Sequence, residues 1–169
     1  MSLILVGGGS RSGKSRHALD LARSRGKRLA FIATGQACDD EMRDRIRRHR
    51  EERGQEFTTF EEPIDLPALI ETEGARFDAL VVDCLTLWLS NLMLSGASDL
   101  DQRVDSLLSA GTAASASIVL VTNEVGCGIV PENALAREFR DRAGILNQRA
   151  GAAAREIYWM IFGVPLKVK

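Results

Sequence analysis

The stretch LILVGGGSRSGKSRHALDLARSR, Leu3 to Arg25, decides the fold. Leu3–Val6 is a short continuous apolar run, as expected of a strand covered on both faces. Lys14–Arg25 sets Ala18, Leu21 and Ala22 at helical spacing. Between them GGSRSGKS, Gly8 to Ser15, fits G-x-x-x-x-G-K-[ST] at every fixed position. A strand before that pattern and a helix after it make the context of a phosphate-binding loop. The glycines let backbone N–H groups converge on phosphate oxygens, and the helix start adds a positive field. Lys14 then reaches the β- and γ-phosphates, and Ser15 ligates Mg²⁺. The competing reading is a glycine-rich turn with a chance lysine, and the flanking elements weigh against it.

Outward from this unit, short apolar runs alternate with helical patterns. RLAFIAT (Arg28–Thr34), FTTF (Phe57–Phe60), ALVVDC (Ala79–Cys84) and ASIVLVTNE (Ala116–Glu124) read as strands. Helices are expected at Asp39–Arg53, at LTLWLSNLML (Leu85–Leu94) and at Asp99–Gly111, the last with Leu100, Val104, Leu107 and Leu108 inward. A long helix is expected over 131–154, with Pro131 at its first position. Leu135, Phe139, Ala143, Leu146 and Ala150 follow its period. The tail EIYWMIFGVPLKVK holds one or two strands around Gly163–Pro165. This alternation predicts a mostly parallel α/β sheet between two helical layers, in which ligands gather at the carboxyl ends of the strands.

A chain of 169 residues suits one domain, taken here as 1–169. Its formal net charge of -1 requires neither nucleic acid nor an anionic membrane as a partner. Cys38, Cys84 and Cys127 form no paired motif, which argues against a zinc site or disulfide framework and fits a reducing, cytoplasmic setting. MSLILVGGG is too short and too uncharged for a signal peptide, and no run approaches the roughly 20 apolar residues that span a bilayer.

Further chemistry is expected at the strand ends. Asp83 closes the ALVVDC strand and is placed to hold Mg²⁺ across from Ser15; its other reading is a cap on the next helix. Asn123, Glu124, Gly126 and Gly128 in VTNEVGCGIVPE lie near the same edge, the glycines suggesting close backbone approach or positive φ. Thr34, Gly35 and Gln36 could line a nucleotide pocket. In DDEMRDRIRRHREER, Asp39 to Arg53, Met42, Ile46, His49 and Arg53 share an inward helical face. His49 is flanked by Arg47, Arg48, Arg50 and Arg53, which suit phosphate oxygens. A neutral imidazole there could attack the α-phosphate of a nucleotide; the plainer reading is a partly buried histidine satisfied by its neighbours. His17 reads only as a helix-surface residue.

The chain resembles the bifunctional adenosylcobinamide kinase / adenosylcobinamide-phosphate guanylyltransferases of cobalamin biosynthesis. The resemblance is carried by GGSRSGKSRHA, IATGQ, DDEMRDRIRRHREER, EEPIDL, VVDCLTLWLSNLM, VTNEVGCGIVPENALAREFRDRAGILNQR and GVPLKVK, in family order over essentially the whole chain. It implies phosphorylation of adenosylcobinamide by ATP or GTP. It further implies transfer of GMP from GTP to the resulting phosphate, giving adenosylcobinamide-GDP and pyrophosphate. His49 falls on the family's GMP-carrying histidine. The implied nucleotide contacts are Gly8, Gly9, Ser10, Arg11, Ser12, Gly13, Lys14, Ser15, Thr34, Gly35, Gln36, Arg50, Glu51, Glu52, Arg53, Glu61 and Asp83. A homotrimer is also implied; Mg²⁺ is expected on Ser15 and Asp83, with Glu61 assisting. Cys127 stands where the family usually has methionine, Gly54 where proline is common, and YWMIF is bulkier than the usual aliphatic run. Two other classes stay open: a single-step phosphate-loop kinase with a structural His49, and a non-catalytic GTP-binding switch.

Overall fold

A computed structural model describes residues 2–36 and 54–169. Strand β1 (Leu3–Gly8) leads into helix α1 (Lys14–Arg23), then β2 (Leu29–Ala33). After them come β3 (Phe57–Glu61), α2 (Leu66–Glu73), a single 3₁₀ turn (Gly74–Arg76) and β4 (Ala79–Asp83). The rest is α3 (Leu85–Leu94), α4 (Leu100–Ala113), β5 (Ser117–Val121), α5 (Ala134–Ala153), β6 (Glu156–Ile161) and β7 (Val164–Lys167). The strands form one seven-stranded sheet in the order β3-β2-β4-β5-β1-β6-β7. Every pairing is parallel except β6 with β7.

The period of two along each strand divides the interior in two. Leu3, Leu5, Ile32, Leu80, Val82, Ile118 and Leu120 face α2 to α5. Ile4, Val6, Phe31, Val81, Val119 and Val121 face Ala18, Leu19 and Ala22 of α1. β1, β4 and β5 are therefore apolar on both faces, as their unbroken Leu/Ile/Val runs predict. Helix α3 shows how sequence and packing agree. It is apolar over most of its circumference, and it buries Leu85, Trp88, Leu89 and Leu92. The Trp88 indole N–H donates to the Ile64 carbonyl at 2.8 Å, so its one polar atom is satisfied.

Register sets the geometry that matters for function. Glu61, Ala33, Asp83, Val121, Val6 and Tyr158 stand opposite one another across six strands. The residues that follow them in β1 to β5 all emerge at one carboxyl edge. Sheet order places β5 between β1 and β4, which local sequence does not reveal.

Three expectations need correcting. Pro131 is not the first residue of α5, which starts at Ala134 because the Asn133 side chain accepts a hydrogen bond from the Ala136 N–H at 3.1 Å. Leu135 is solvent-exposed rather than inward; the buried positions of α5 begin only at Ala143. His17 is not a plain surface residue. Its ring meets Tyr158 edge-on with centroids 5.0 Å apart, and its Nε2 is buried without a hydrogen-bond partner. Burial lowers the His17 pKa from its ordinary value, against a smaller opposing pull from Asp20.

Candidate active site at the carboxyl edge

β1 ends at Gly8 and hands the chain to a tight loop. Gly8 has φ 148°, and a Cβ there would lie 2.9 Å from Ser12 Oγ and 3.0 Å from the Met160 carbonyl oxygen. Gly13, at φ 91°, turns the chain into α1, and no side chain caps that helix. The donors of its first turn are thus left for an anion, the arrangement that phosphate oxygens need. Lys14 is 7% exposed. Its Nζ donates to the Gly9 carbonyl at 2.5 Å and to Ser12 Oγ at 3.4 Å. The ammonium is therefore folded onto the rim of its own loop, where a phosphate could take over those contacts.

The tail supports this loop, a role the sequence does not signal. β6 pairs with β1 through Trp159 opposite Gly7 and Met160 opposite Gly8. The β6–β7 turn reaches Gly13, where a Cβ would lie 3.7 Å from Gly163 Cα. The loop is thereby braced from the side away from β5.

Asp83 lies on the other side. Two strand spacings separate it from Val6, about 10 Å. Its Oδ2 is buried and has no hydrogen-bond partner among the described residues. A buried carboxylate oxygen without a donor is costly, and a hydrated divalent cation would offset that cost. Among the described residues no three His, Cys, Asp or Glu side chains cluster as a metal cage. That donor set fits Mg²⁺, which keeps several waters and takes substrate phosphate oxygens alongside one or two protein ligands. Ser15 and Asp83 are thus residues that could hold it.

The backbone around Asp83 is fixed by Thr34. The Thr34 hydroxyl donates to the Cys84 carbonyl and accepts from the Cys84 N–H, both at 2.8 Å. The Thr34 N–H donates to the Asp83 carbonyl at 3.2 Å. Asn91 Nδ2 donates to the Thr34 carbonyl at 2.8 Å and to the Pro63 carbonyl at 3.1 Å. The ends of β2 and β4 are locked together, which fixes the backbone from which the Asp83 side chain projects. Burial pushes the Cys84 thiol up to about 11, with the Asp83 charge adding to it, so Cys84 stays protonated.

At the end of β5 a second polar chain runs between helices. The Thr122 hydroxyl donates to Asn147 Oδ1 at 2.6 Å, and Asn147 Nδ2 donates to the Asn123 carbonyl at 3.2 Å. The Asn123 N–H and Nδ2 both donate to Thr86 Oγ1, at 2.9 and 3.2 Å. The Glu124 N–H donates to the Gly8 carbonyl at 3.3 Å, tying this strand end to the phosphate loop. Its Oε1 accepts from the Gly126 N–H at 2.8 Å. Gly126 is therefore a close approach, with a Cβ position 2.9 Å from Glu124 Oε1, while Gly128 shows neither crowding nor positive φ.

The structure thus brings Gly8–Ser15, Thr34–Gln36, Asp83 and Asn123–Glu124 to one edge. Glu61 ends the outer strand β3, four spacings from Val6, or about 19 Å. His49, Arg50, Glu51, Glu52 and Arg53, with Arg47 and Arg48, lie outside the described residues. Thr86, Asn91 and Asn147, the residues that lock this edge, are not singled out by sequence reasoning. Each is a polar residue within an otherwise helical pattern, and that is the only signal it carries.

Comparison with known proteins bears directly on this edge. Residues 4–168 match the family model described as cobinamide kinase / cobinamide phosphate guanyltransferase. The chain is 42% identical to the bifunctional adenosylcobalamin biosynthesis protein CobU of Salmonella typhimurium, with 99% of each chain covered. It is 41% identical to the bifunctional adenosylcobalamin biosynthesis protein CobP of Pseudomonas aeruginosa, covering 98% of this chain and 96% of that one. Among solved structures it resembles a prototypical ATPase from the type III secretion system of pathogenic bacteria, with TM-score 0.56 and 10% identity, over 98% of this chain and 56% of that one. It also resembles a second solved ATPase domain, with TM-score 0.53 and 10% identity, over 94% and 68% of the two chains. These two likenesses bear on the fold alone, which is that of phosphate-loop NTPases.

Proposed function

The chain belongs to the cobinamide kinase / cobinamide phosphate guanyltransferase family, and from that premise we propose how its residues divide two successive reactions. The enzyme is a transferase of adenosylcobalamin biosynthesis. It phosphorylates cobinamide and then guanylylates the phosphate, with nucleoside triphosphates as substrates.

In the first reaction the Gly8–Ser15 loop holds the triphosphate of ATP or GTP, and Lys14 neutralises charge on the β- and γ-phosphates. Ser15 and Asp83 would hold Mg²⁺, which when bound would neutralise charge on the phosphate oxygens; Glu61, four strand spacings from β1, lies too far out to share that ion. The observation that carries this assignment is the buried, unpartnered Oδ2 of Asp83 in register with the phosphate-loop strand. Gly35 and Gln36, just beyond the locked Thr34, contact the nucleotide.

In the second reaction His49 attacks the α-phosphorus of GTP. The bond to the bridging oxygen breaks, pyrophosphate leaves, and GMP remains on the imidazole. The phosphate of adenosylcobinamide phosphate then displaces GMP from His49. Arg50, Glu51, Glu52 and Arg53 contact the nucleotide during this transfer. The support is sequence: His49 falls where the family carries GMP.

Residues 1–169 work as one domain, and a homotrimeric, cytoplasmic enzyme completes the reading. Among the described residues no helix is long and apolar enough to cross a membrane. Self-association is favoured by β7, an edge strand with Val164 and Leu166 exposed, flanked by an exposed Val168 and a fully exposed Phe162.

The test is retention of label on denatured protein after incubation with Mg²⁺ and GTP labelled at the α-phosphate. An acid-labile, base-stable adduct is expected in the wild type and absent in His49→Ala. Label that persists in His49→Ala would remove the assignment.

A further inference from the structure

The kinase step needs a group to accept the proton of the attacking hydroxyl, and neither the sequence nor the family description names one. Among the described residues, four acids end or directly follow the strands at the carboxyl edge: Glu61, Glu62, Asp83 and Glu124. Register separates them. The γ-phosphate must lie between Lys14, which follows β1, and Asp83, at the end of β4. The strand between those two is β5. Glu61 and Glu62, at the end of β3, are four strand spacings from β1, about 19 Å, beyond reach of that phosphate. Asp83 is engaged by the ion it would hold. Glu124 alone extends from the strand in the middle.

Glu124 is also held as a base should be held. Its N–H donates to the Gly8 carbonyl at 3.3 Å, fixing its main chain against the phosphate loop. Its Oε1 accepts from the Gly126 N–H at 2.8 Å, anchoring one oxygen of the carboxylate. Among the described residues no further hydrogen bond is made by its other oxygen, Oε2. A carboxylate with one oxygen anchored and the other open can accept a proton without losing its position.

We propose that Glu124 is the catalytic base of the phosphorylation step. The substrate hydroxyl oxygen attacks the γ-phosphorus while its proton passes to Glu124 Oε2. The bond from the γ-phosphorus to the bridging oxygen breaks, and the nucleoside diphosphate leaves with that electron pair. Glu124 then returns its proton to water. This rests on the reading of the phosphate loop and Asp83 given above.

The test uses the full-length enzyme with cobinamide and ATP or GTP in three forms: wild type, Glu124→Gln and Glu124→Asp. Glu124→Gln keeps the shape and can still accept from the Gly126 N–H. Its kcat for phosphorylation is expected to fall about 100-fold or more, with the nucleotide Kd and the melting temperature unchanged. Glu124→Asp keeps the charge at a shorter reach and is expected to retain more activity than Glu124→Gln. The reverse order, with Glu124→Gln near wild type and Glu124→Asp impaired, would make Glu124 a structural anchor and overturn the proposal. A wild-type enzyme that binds nucleotide but phosphorylates nothing would instead strike at the function itself, whatever the variants do.

Discussion

Two aspartates bracket β4, and they are opposites. Asp78 precedes the strand, and both its oxygens are engaged. Oδ2 accepts from the N–H groups of Lys27 and Arg28, both at 2.9 Å, and Oδ1 accepts from the Arg28 guanidinium at 2.7 and 3.0 Å. Asp83 ends the same strand with Oδ2 buried and unpartnered. At Asp78 the protein closes its own hydrogen bonds, whereas at Asp83 the carboxyl edge leaves an acidic oxygen for a ligand. An acid whose bonds are all made within the protein serves the fold; one left without a donor at a strand end costs stability and is kept for chemistry.

The largest expected effect breaks this contrast at its functional end. Asp83→Asn should lower phosphorylation kcat by about 100-fold or more, as loss of one preorganised electrostatic partner does. The melting temperature should stay level or rise, because a buried unpartnered charge is removed. Steady-state kinetics beside a thermal melt would show both. An Asp83→Asn enzyme that is both active and destabilised would put Asp83 in the same class as Asp78.

The reverse pattern is expected at Asp78. Asp78→Asn should leave phosphorylation within about twofold, in keeping with a residue outside the edge where electrostatic partners act, and should lower the melting temperature at neutral pH. The Arg28 guanidinium first, then the N–H groups of Arg28 and Lys27, pull the Asp78 carboxyl down to about 2 from 3.8. The unfolded chain therefore takes up the proton first as acid is added. The Asp78 contribution is whole above 3.8 and is lost as pH falls through about 2. The gap between wild type and Asp78→Asn in an acid-unfolding series should close over that window.

How much of this could be read from the chain follows from where each signal resides. The phosphate loop is local: two glycines, a lysine and a serine at fixed spacing between an apolar run and a helical pattern. Helix α3 is nearly as local, since ten mostly apolar residues bounded by a strand and a glycine read as a largely buried helix. The contrast between Asp78 and Asp83 is not local. Asp78 is satisfied by residues that precede β2, and only the pairing of β2 with β4 brings them together. The place of Glu124 depends on β5 inserting between β1 and β4, and sheet order is written in no single stretch. His17 shows the same limit: its helix position reads as surface until β6 pairs with β1 and brings Tyr158 alongside.

His17 gives the smallest expected effect and sharpens the comparison from the apolar side. Burial lowers its pKa, so the unfolded chain binds a proton more readily than the folded one does. Stability should therefore fall as pH drops below about 6.5, the ordinary histidine value, and level off below the folded pKa. His17→Phe should keep the edge-on contact with Tyr158 and flatten that part of the stability–pH curve. An unchanged curve would mean that His17 contributes nothing to it.

The most direct measurement is calorimetric binding of GTP with and without Mg²⁺ to wild type, Asp83→Asn and Asp78→Asn. In the wild type and in Asp78→Asn, Mg²⁺ should tighten GTP. In Asp83→Asn that enhancement should vanish, while the Mg²⁺-free affinity, set by the Gly8–Ser15 loop and Lys14, remains. An equal Mg²⁺ enhancement in all three would contradict the claim that the open acid at the carboxyl edge is there to hold the nucleotide's metal ion.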